Sequence, residues 1–171
     1  AIRDPNPVLF LESKGLYSFF SRDLREEVPV GADFEVPIGE AKVRKVGSDL
    51  TCVTYGAMVF AALEAAAELE KEGVMMEVID LRTLVPLDEA TILRSVEKTN
   101  RLLIVHEGSK RGGFGAEIAA MVAEQDVWNL DAPIMRVGSP DTPVPYAPPL
   151  EHAYLPKTGD LLQAARKLVS M

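Results

Sequence analysis

The stretch LTCVTYGAMVFAALEAAAELEKEGVMMEVI, Leu50 through Ile79, decides the fold. Residues 50–55 are a short apolar and β-branched run suited to a buried strand. Residues 57–72 then place Val59, Leu63, Ala66 and Leu69 at the spacing of one helical face. Gly73 stands where a left-handed helix terminus is wanted, and residues 74–79 supply a second strand. Strand, helix and strand within about thirty residues predict a parallel pair joined by a right-handed crossover.

The same rhythm continues in both directions. Residues 43–46 read as a strand, and Pro86 with Asp88 opens a helix in which Ile92, Leu93 and Val96 face inward. Residues 102–105 form the next strand. The glycine-rich turn Gly112-Gly113-Phe114-Gly115 then leads into a helix with Ile118 and Val122 inward. A last strand at 134–137 and a last helix at 160–169, with Thr158 as its N-cap, complete an α/β pattern. The expected architecture has three layers: a mostly parallel sheet with helices on both faces. The proline-rich segment 139–149 is expected to lie extended over the surface. Upstream, the apolar run VLFLE (8–12) is expected to be a buried strand. The polar stretch 13–40 is long for a loop, which places a domain boundary there.

Composition narrows the partners. The 171 residues suit a single full-sized domain. Their formal charge of −8 disfavours nucleic acid, which is bound through phosphate neutralisation. The lone Cys52 leaves no disulfide framework or thiolate zinc cluster, and fits a reducing compartment. Its mid-strand position suggests a small buried apolar group rather than a nucleophile. The longest charge-free run, 50–63, is shorter than the ~20 residues that span a bilayer. The opening Ala1-Ile2-Arg3-Asp4-Pro5 lacks the charged and apolar regions of a leader, and reads as internal sequence.

Parallel sheets hold ligands beyond the carboxyl ends of their strands. Those positions carry Asp80 and Arg82, then His106 and Glu107, then Arg136. One reading makes His106 a general base oriented by Asp80 or Glu107. The other, which we favour, has Asp80 and Arg82 pair with each other or cap backbone groups at the strand end, and makes His106 structural. The glycines between Gly108 and Gly115 allow an anion cradle at a helix start, but match neither phosphate-binding fingerprint and are expected to serve the turn. His152 has no second ligand at metal-binding spacing. The mixed charges Arg22-Asp23-Leu24-Arg25-Glu26-Glu27 are expected to solvate the connection.

Four strings, GSDLTCVTYGAMV, EVIDLRTLVPLDEATILRSVEKTNRLLIVHEG, GGFGAEIAA and DAPIMRVGSPDTPVPYA, are specific in order and spacing. Together they resemble the beta subunit of the thiamine-diphosphate-dependent 2-oxo acid dehydrogenase first component, of pyruvate or branched-chain type. The part matched is its transketolase-like C-terminal domain. The resemblance implies three segments: the tail of a pyrimidine-binding domain (1–17), a connection (18–40) and the C-terminal domain (41–171). It implies oxidative decarboxylation of a 2-oxo acid and acyl transfer to a lipoyl carrier, with thiamine diphosphate and magnesium bound in an intact heterotetramer. The family's activating glutamate and catalytic histidine belong to the preceding domain. No catalytic or cofactor-binding residue is therefore expected in this segment, which alone is expected to be inactive.

The resemblance further implies a potassium site to which the Ala1 carbonyl, Asp4 and Asn6 contribute, a set that alternatively forms only a turn before Pro5 and Pro7. It implies an alpha subunit, a second beta subunit and the subunit-binding domain of the acyltransferase as partners. Asp131 and the terminal carboxylate of Met171 are the expected contacts for that basic docking domain. Bacterial cytoplasm and mitochondrial matrix are both compatible. Three alternatives remain: a stand-alone α/β interaction module, the beta subunit of an acetoin dehydrogenase or another transketolase-like enzyme, and a small-ligand enzyme using Asp80 and His106.

Overall fold

The structure, a computed structural model, describes residues 1–19 and 35–171. The 22–27 charge run lies outside the described residues, as does most of the 18–40 connection.

Five strands build one sheet: β1 (Lys42–Lys45), β2 (Leu50–Thr54), β3 (Met76–Asp80), β4 (Leu102–Ser109) and β5 (Met135–Ser139), in the order β1-β3-β2-β4-β5. All neighbours run parallel except β1, which joins β3 antiparallel and closes that edge. The helices are α1 (Lys14–Phe19), α2 (Met58–Lys71), α3 (Glu89–Thr99), α4 (Phe114–Asp126), α5 (Pro148–Tyr154) and α6 (Thr158–Val169).

Alternation along the strands splits the core in two. Leu50, Cys52, Val78, Leu103 and Val105 face α2 and α6, whereas Val53, Ile79, Leu102 and Ile104 face α3 and α4. The three-layer expectation therefore holds. Small side chains on α2 draw it close to the sheet, with Ala62, Ala65 and Ala66 wholly buried.

The local signals act at their expected places. Gly73 ends α2 with φ +82°, and Asp88 caps α3 by accepting from the Thr91 amide at 3.0 Å. The other Asp88 oxygen accepts from the Ala41 amide at 2.9 Å, so one carboxylate starts a helix and fixes the chain entering β1.

Three expectations are corrected. Residues 8–12 are not a strand: Leu9 and Leu11 are 94% and 88% exposed, and no strand among the described residues offers their backbone a ladder. The last helix begins at Thr158 rather than being capped by it. Its cap position is Lys157, whose amide donates to Asp160 Oδ2 at 2.8 Å, while the Thr158 hydroxyl bonds Glu64 Oε2 on α2 at 2.6 Å. The proline-rich segment is not extended throughout, because Pro148 and Pro149 open α5, where a missing N–H costs nothing.

Candidate functional site

The strand-end residues do not converge. Asp80 extends β3 on the Val78 side of the sheet, toward the α2 and α6 layer. The imidazole of His106 lies on the opposite face, under the first turn of α4. Strand β2 also separates them, pairing Thr54 with both Asp80 and Val105. A proton relay between Asp80 and His106 is excluded by the pleat.

Asp80 is held by its own strand end. Its Oδ1 accepts from the Arg82 amide at 3.2 Å, and Arg82 adopts a left-handed backbone (φ 56°) while its Nε donates to the Glu40 carbonyl at 3.1 Å. Burial pushes the Asp80 carboxyl above its usual range, opposed by that amide and by Arg44, Arg82 and Lys42. Of the structural readings, the structure carries the capping one: Asp80 holds a backbone amide and Arg82 a backbone carbonyl.

His106 is wholly buried, and neither ring nitrogen makes a well-formed hydrogen bond, the backbone of Gly108 being the polar group that approaches the ring. Its walls are glycines. A Cβ on Gly115 would lie 2.6 Å from Cδ2 and Nε2, one on Gly113 2.6 Å from Cε1, and one on Gly138 3.3 Å from Cε1. The glycines of the turn thus let the protein's own ring approach the backbone, and Gly112 supplies the turn's positive φ of 68°. Burial lowers the imidazole pKa, with the Gly108 backbone opposing the shift and the Arg136 charge reinforcing it. Arg136 is occupied in turn, donating through Nη1 to the Lys110 carbonyl at 2.8 Å.

The remaining candidates are separate from this end. Cys52 is buried with its thiol pushed up to about 12 by desolvation, which suppresses the thiolate. His152 lies exposed on α5. Asp4 Oδ1 accepts from the Asn6 amide at 2.8 Å and side chain at 3.1 Å, while the Ala1 carbonyl accepts from the Asp4 amide at 3.3 Å. These bonds form a turn that brings the Ala1, Asp4 and Asn6 oxygens onto one short segment. Among the described residues no three His, Cys, Asp or Glu side chains come together for a metal.

At the other end of the sheet the two docking candidates share a support. The Asp131 amide donates to the Asn100 carbonyl at 2.9 Å, and next door Arg101 Nε donates to the Leu168 carbonyl at 3.1 Å, which Met171 also reaches through its amide at 3.4 Å. Between α4 and Asp131 stands Trp128, 97% exposed on a 3₁₀ turn and next to Asn129, whose carbonyl accepts from Asn100 Nδ2 at 2.8 Å. Sequence reasoning missed it. The signal was a single large aromatic in the polar stretch after a helix.

The geometry is that of a three-layer α/β domain in which Asp80 and His106 do not meet and whose opposite sheet end carries Asp131 and the exposed Trp128. The chain belongs to the transketolase C-terminal domain family, whose description, "Transketolase, C-terminal domain", matches residues 39–161. It is 50% identical over 167 residues to the beta subunit of acetoin:2,6-dichlorophenolindophenol oxidoreductase from Cupriavidus necator, covering 98% of this chain and 48% of that one. It is 44% identical over 169 residues to the pyruvate dehydrogenase E1 component subunit beta of Bacillus subtilis, covering 99% and 50%. A mitochondrial pyruvate dehydrogenase E1 beta subunit from Pisum sativum is 46% identical over 172 residues, covering 98% and 46%. The chain therefore spans about half the length of these relatives. Among solved structures, a split-gene transketolase described as an inactive beta4 tetramer superposes with TM-score 0.70 at 30% identity, over 81% of this chain and 44% of that one. Relatives come from bacteria and from mitochondria, and no described helix is long and apolar enough to cross a membrane.

Proposed function

We propose that this chain is part of the beta subunit of a 2-oxo acid dehydrogenase first component. The enzyme decarboxylates pyruvate or a branched-chain 2-oxo acid and passes the acyl group to a lipoyl carrier. Its thiamine diphosphate and magnesium sit at an interface with an alpha subunit, outside this segment. Residues 1–17 are the tail of the pyrimidine-binding domain, 18–40 the connection and 41–171 the C-terminal domain; a family match that begins at residue 39 supports the second boundary. Ala1, Asp4 and Asn6 would supply at most part of a potassium shell.

The segment's own work is assembly and docking. The observation that supports this is the sealing of His106, the imidazole at the strand ends, which is wholly buried behind glycines and so withheld from solvent. Its outer surface instead displays Val85, Trp128 and Tyr146, each at least 86% exposed. Isothermal titration with the basic subunit-binding domain of the cognate acyltransferase tests the docking. Saturable binding, weakened by salt and lost in Asp131→Lys, is expected. Binding indifferent to salt and to that reversal would remove Asp131 from the contact. Decarboxylation by this chain alone would overturn the division of labour.

The acetoin reading differs in the substrate, a hydroxyketone with no carboxylate to lose, and so in the bond that is broken. The 50% identity to the Cupriavidus necator beta subunit favours it over the stand-alone module.

A further inference from the structure

Among the described residues, β5 is the outer strand of the sheet with no further strand beside it. A groove of ≈ 450 Å³ runs along its free side, lined by residues 135–138 and walled by α5 and α6. Met135, Val137 and Ala164 give it an apolar floor. Lys110, Arg136 and Lys167 line it as cations, against the single acid Asp160, whose carboxylate is already engaged by the Lys157 amide. In a chain of net charge −8 this is a local reversal of sign.

The cations are strung out along the strand. The Lys110 amide bonds the Ser139 carbonyl at 3.2 Å, so Lys110 marks the carboxyl end of β5. Lys167 stands in the last turn of α6 beside Leu168, whose carbonyl meets Arg101 at the amino end of β4. Five residues of strand span roughly 17 Å. Lys110 and Lys167 thus stand at opposite ends of the strand, an arrangement that suits an extended segment with charges at both ends. An open edge supplies it with unpaired backbone donors and acceptors, and alternate side chains of the guest reach the apolar floor.

We propose that the groove takes an extended acidic peptide, added to β5 as a further strand and held at its two ends by Lys110 and Lys167. The probe is a fluorescein-labelled peptide, acetyl-Glu-Val-Glu-Val-Glu-amide, titrated into the full chain and followed by anisotropy. Saturable binding weakened by salt is expected, with slowed amide exchange confined to residues 135–139. N-methylation of alternate peptide amides should abolish it, since it blocks the ladder without touching the protein. The double reversal Lys110→Glu with Lys167→Glu changes two exposed side chains, and should weaken binding roughly tenfold or more with the melting temperature unchanged. The proposal is overturned if the probe fails to saturate, if the reversal leaves affinity unchanged, or if exchange slows elsewhere. It is equally overturned if free glutamate competes as well as the peptide does, which would make the groove a simple carboxylate site. Lysines serving only to keep the edge from self-pairing would give the first of these results.

Discussion

Tyr55 lies flat against His106, the ring centroids 6.1 Å apart and the planes 12° from parallel, while Phe114 meets Tyr55 edge-on at 6.4 Å and 84°. The tyrosine ring thus adds to the glycine surroundings of the imidazole. Phe114 is the first residue of α4 and Tyr55 follows β2, so the ring ties a helix start to two strands. A buried imidazole with no well-formed hydrogen bond at either nitrogen is tolerated only in its neutral form.

Acid should therefore loosen the domain through this residue. The folded-state pKa of His106 is depressed, chiefly by burial, so the unfolded chain binds the proton first as pH falls. Its contribution is complete above about pH 6.5 and declines as pH drops below that toward the folded value. Urea midpoints measured between pH 5 and 8 should fall on the acid side for the native chain and lie flatter for His106→Phe. A variant curve that tracks the native slope would show that another group is responsible.

The glycine cage makes a prediction of opposite sign to helix propensity. Alanine at position 115, in the first turn of α4, would ordinarily favour the helix by about 1 kcal/mol over glycine. Here its methyl would come within 2.6 Å of the His106 ring and 3.0 Å of Ile104 Cγ2. Gly115→Ala should destabilise by roughly 1–3 kcal/mol. In a His106→Ala background the same change should become neutral or favourable, and a double-mutant cycle with no coupling would refute the cage.

Much of this organisation was legible in the chain, and the parts that were not have physical reasons. The αβ rhythm was readable because β2, β3 and β4 each carry buried apolar residues on both faces while α2, α3 and α6 keep helical spacing, so each element carried its own period. Residues 8–12 carry the same apolar signal as β2, but a strand also needs a neighbour for its backbone, which no local pattern announces. The separation of Asp80 from His106 depends on register: each residue's parity is visible in its own strand, but the alignment of β3 with β4 through β2 is tertiary. Trp128 was invisible as a site because its importance lies in being left uncovered.

Inside the α3 layer a polar cluster replaces apolar packing. Glu77, on β3, is only 4% exposed. It accepts from Ser95 Oγ at 2.6 Å and from the Gly47 amide at 3.3 Å, and pairs with Lys98. Thr51 extends the cluster to Ser95 at 2.6 Å and Thr99 at 2.7 Å. Burial alone would raise the Glu77 pKa, yet Lys98, Ser95 and the Gly47 amide together bring it below the ordinary value. The stability this gives is present above about pH 4.5 and is lost as pH falls below it. Lys98→Met should cost roughly 1–3 kcal/mol at pH 7, by leaving the carboxylate short of its cation, and much less at pH 3. Equal losses at both pH values would mean that Lys98 acts through its stem and not its charge.

Trp128 is the only tryptophan in the chain, so its emission reports one place. At 97% exposure its indole gains nothing from the isolated fold, and Trp128→Ser should leave the urea midpoint within about 0.5 kcal/mol of the native value. Tryptophan fully in water is favoured as an interface anchor, and Asp131, three residues on, is a charge that would set a partner's orientation. Adding the acyltransferase subunit-binding domain should shift the emission to shorter wavelength as the indole leaves water, in parallel with the calorimetric binding curve. Trp128→Ser should weaken that binding by roughly 2 kcal/mol or more, chiefly through faster dissociation, whereas Asp131→Lys should act more on the association rate and its salt dependence. Binding with unchanged emission would place the partner elsewhere on the domain and leave Trp128 to a contact with the alpha subunit or the second beta subunit, which the same emission shift, measured on adding each in turn, would identify.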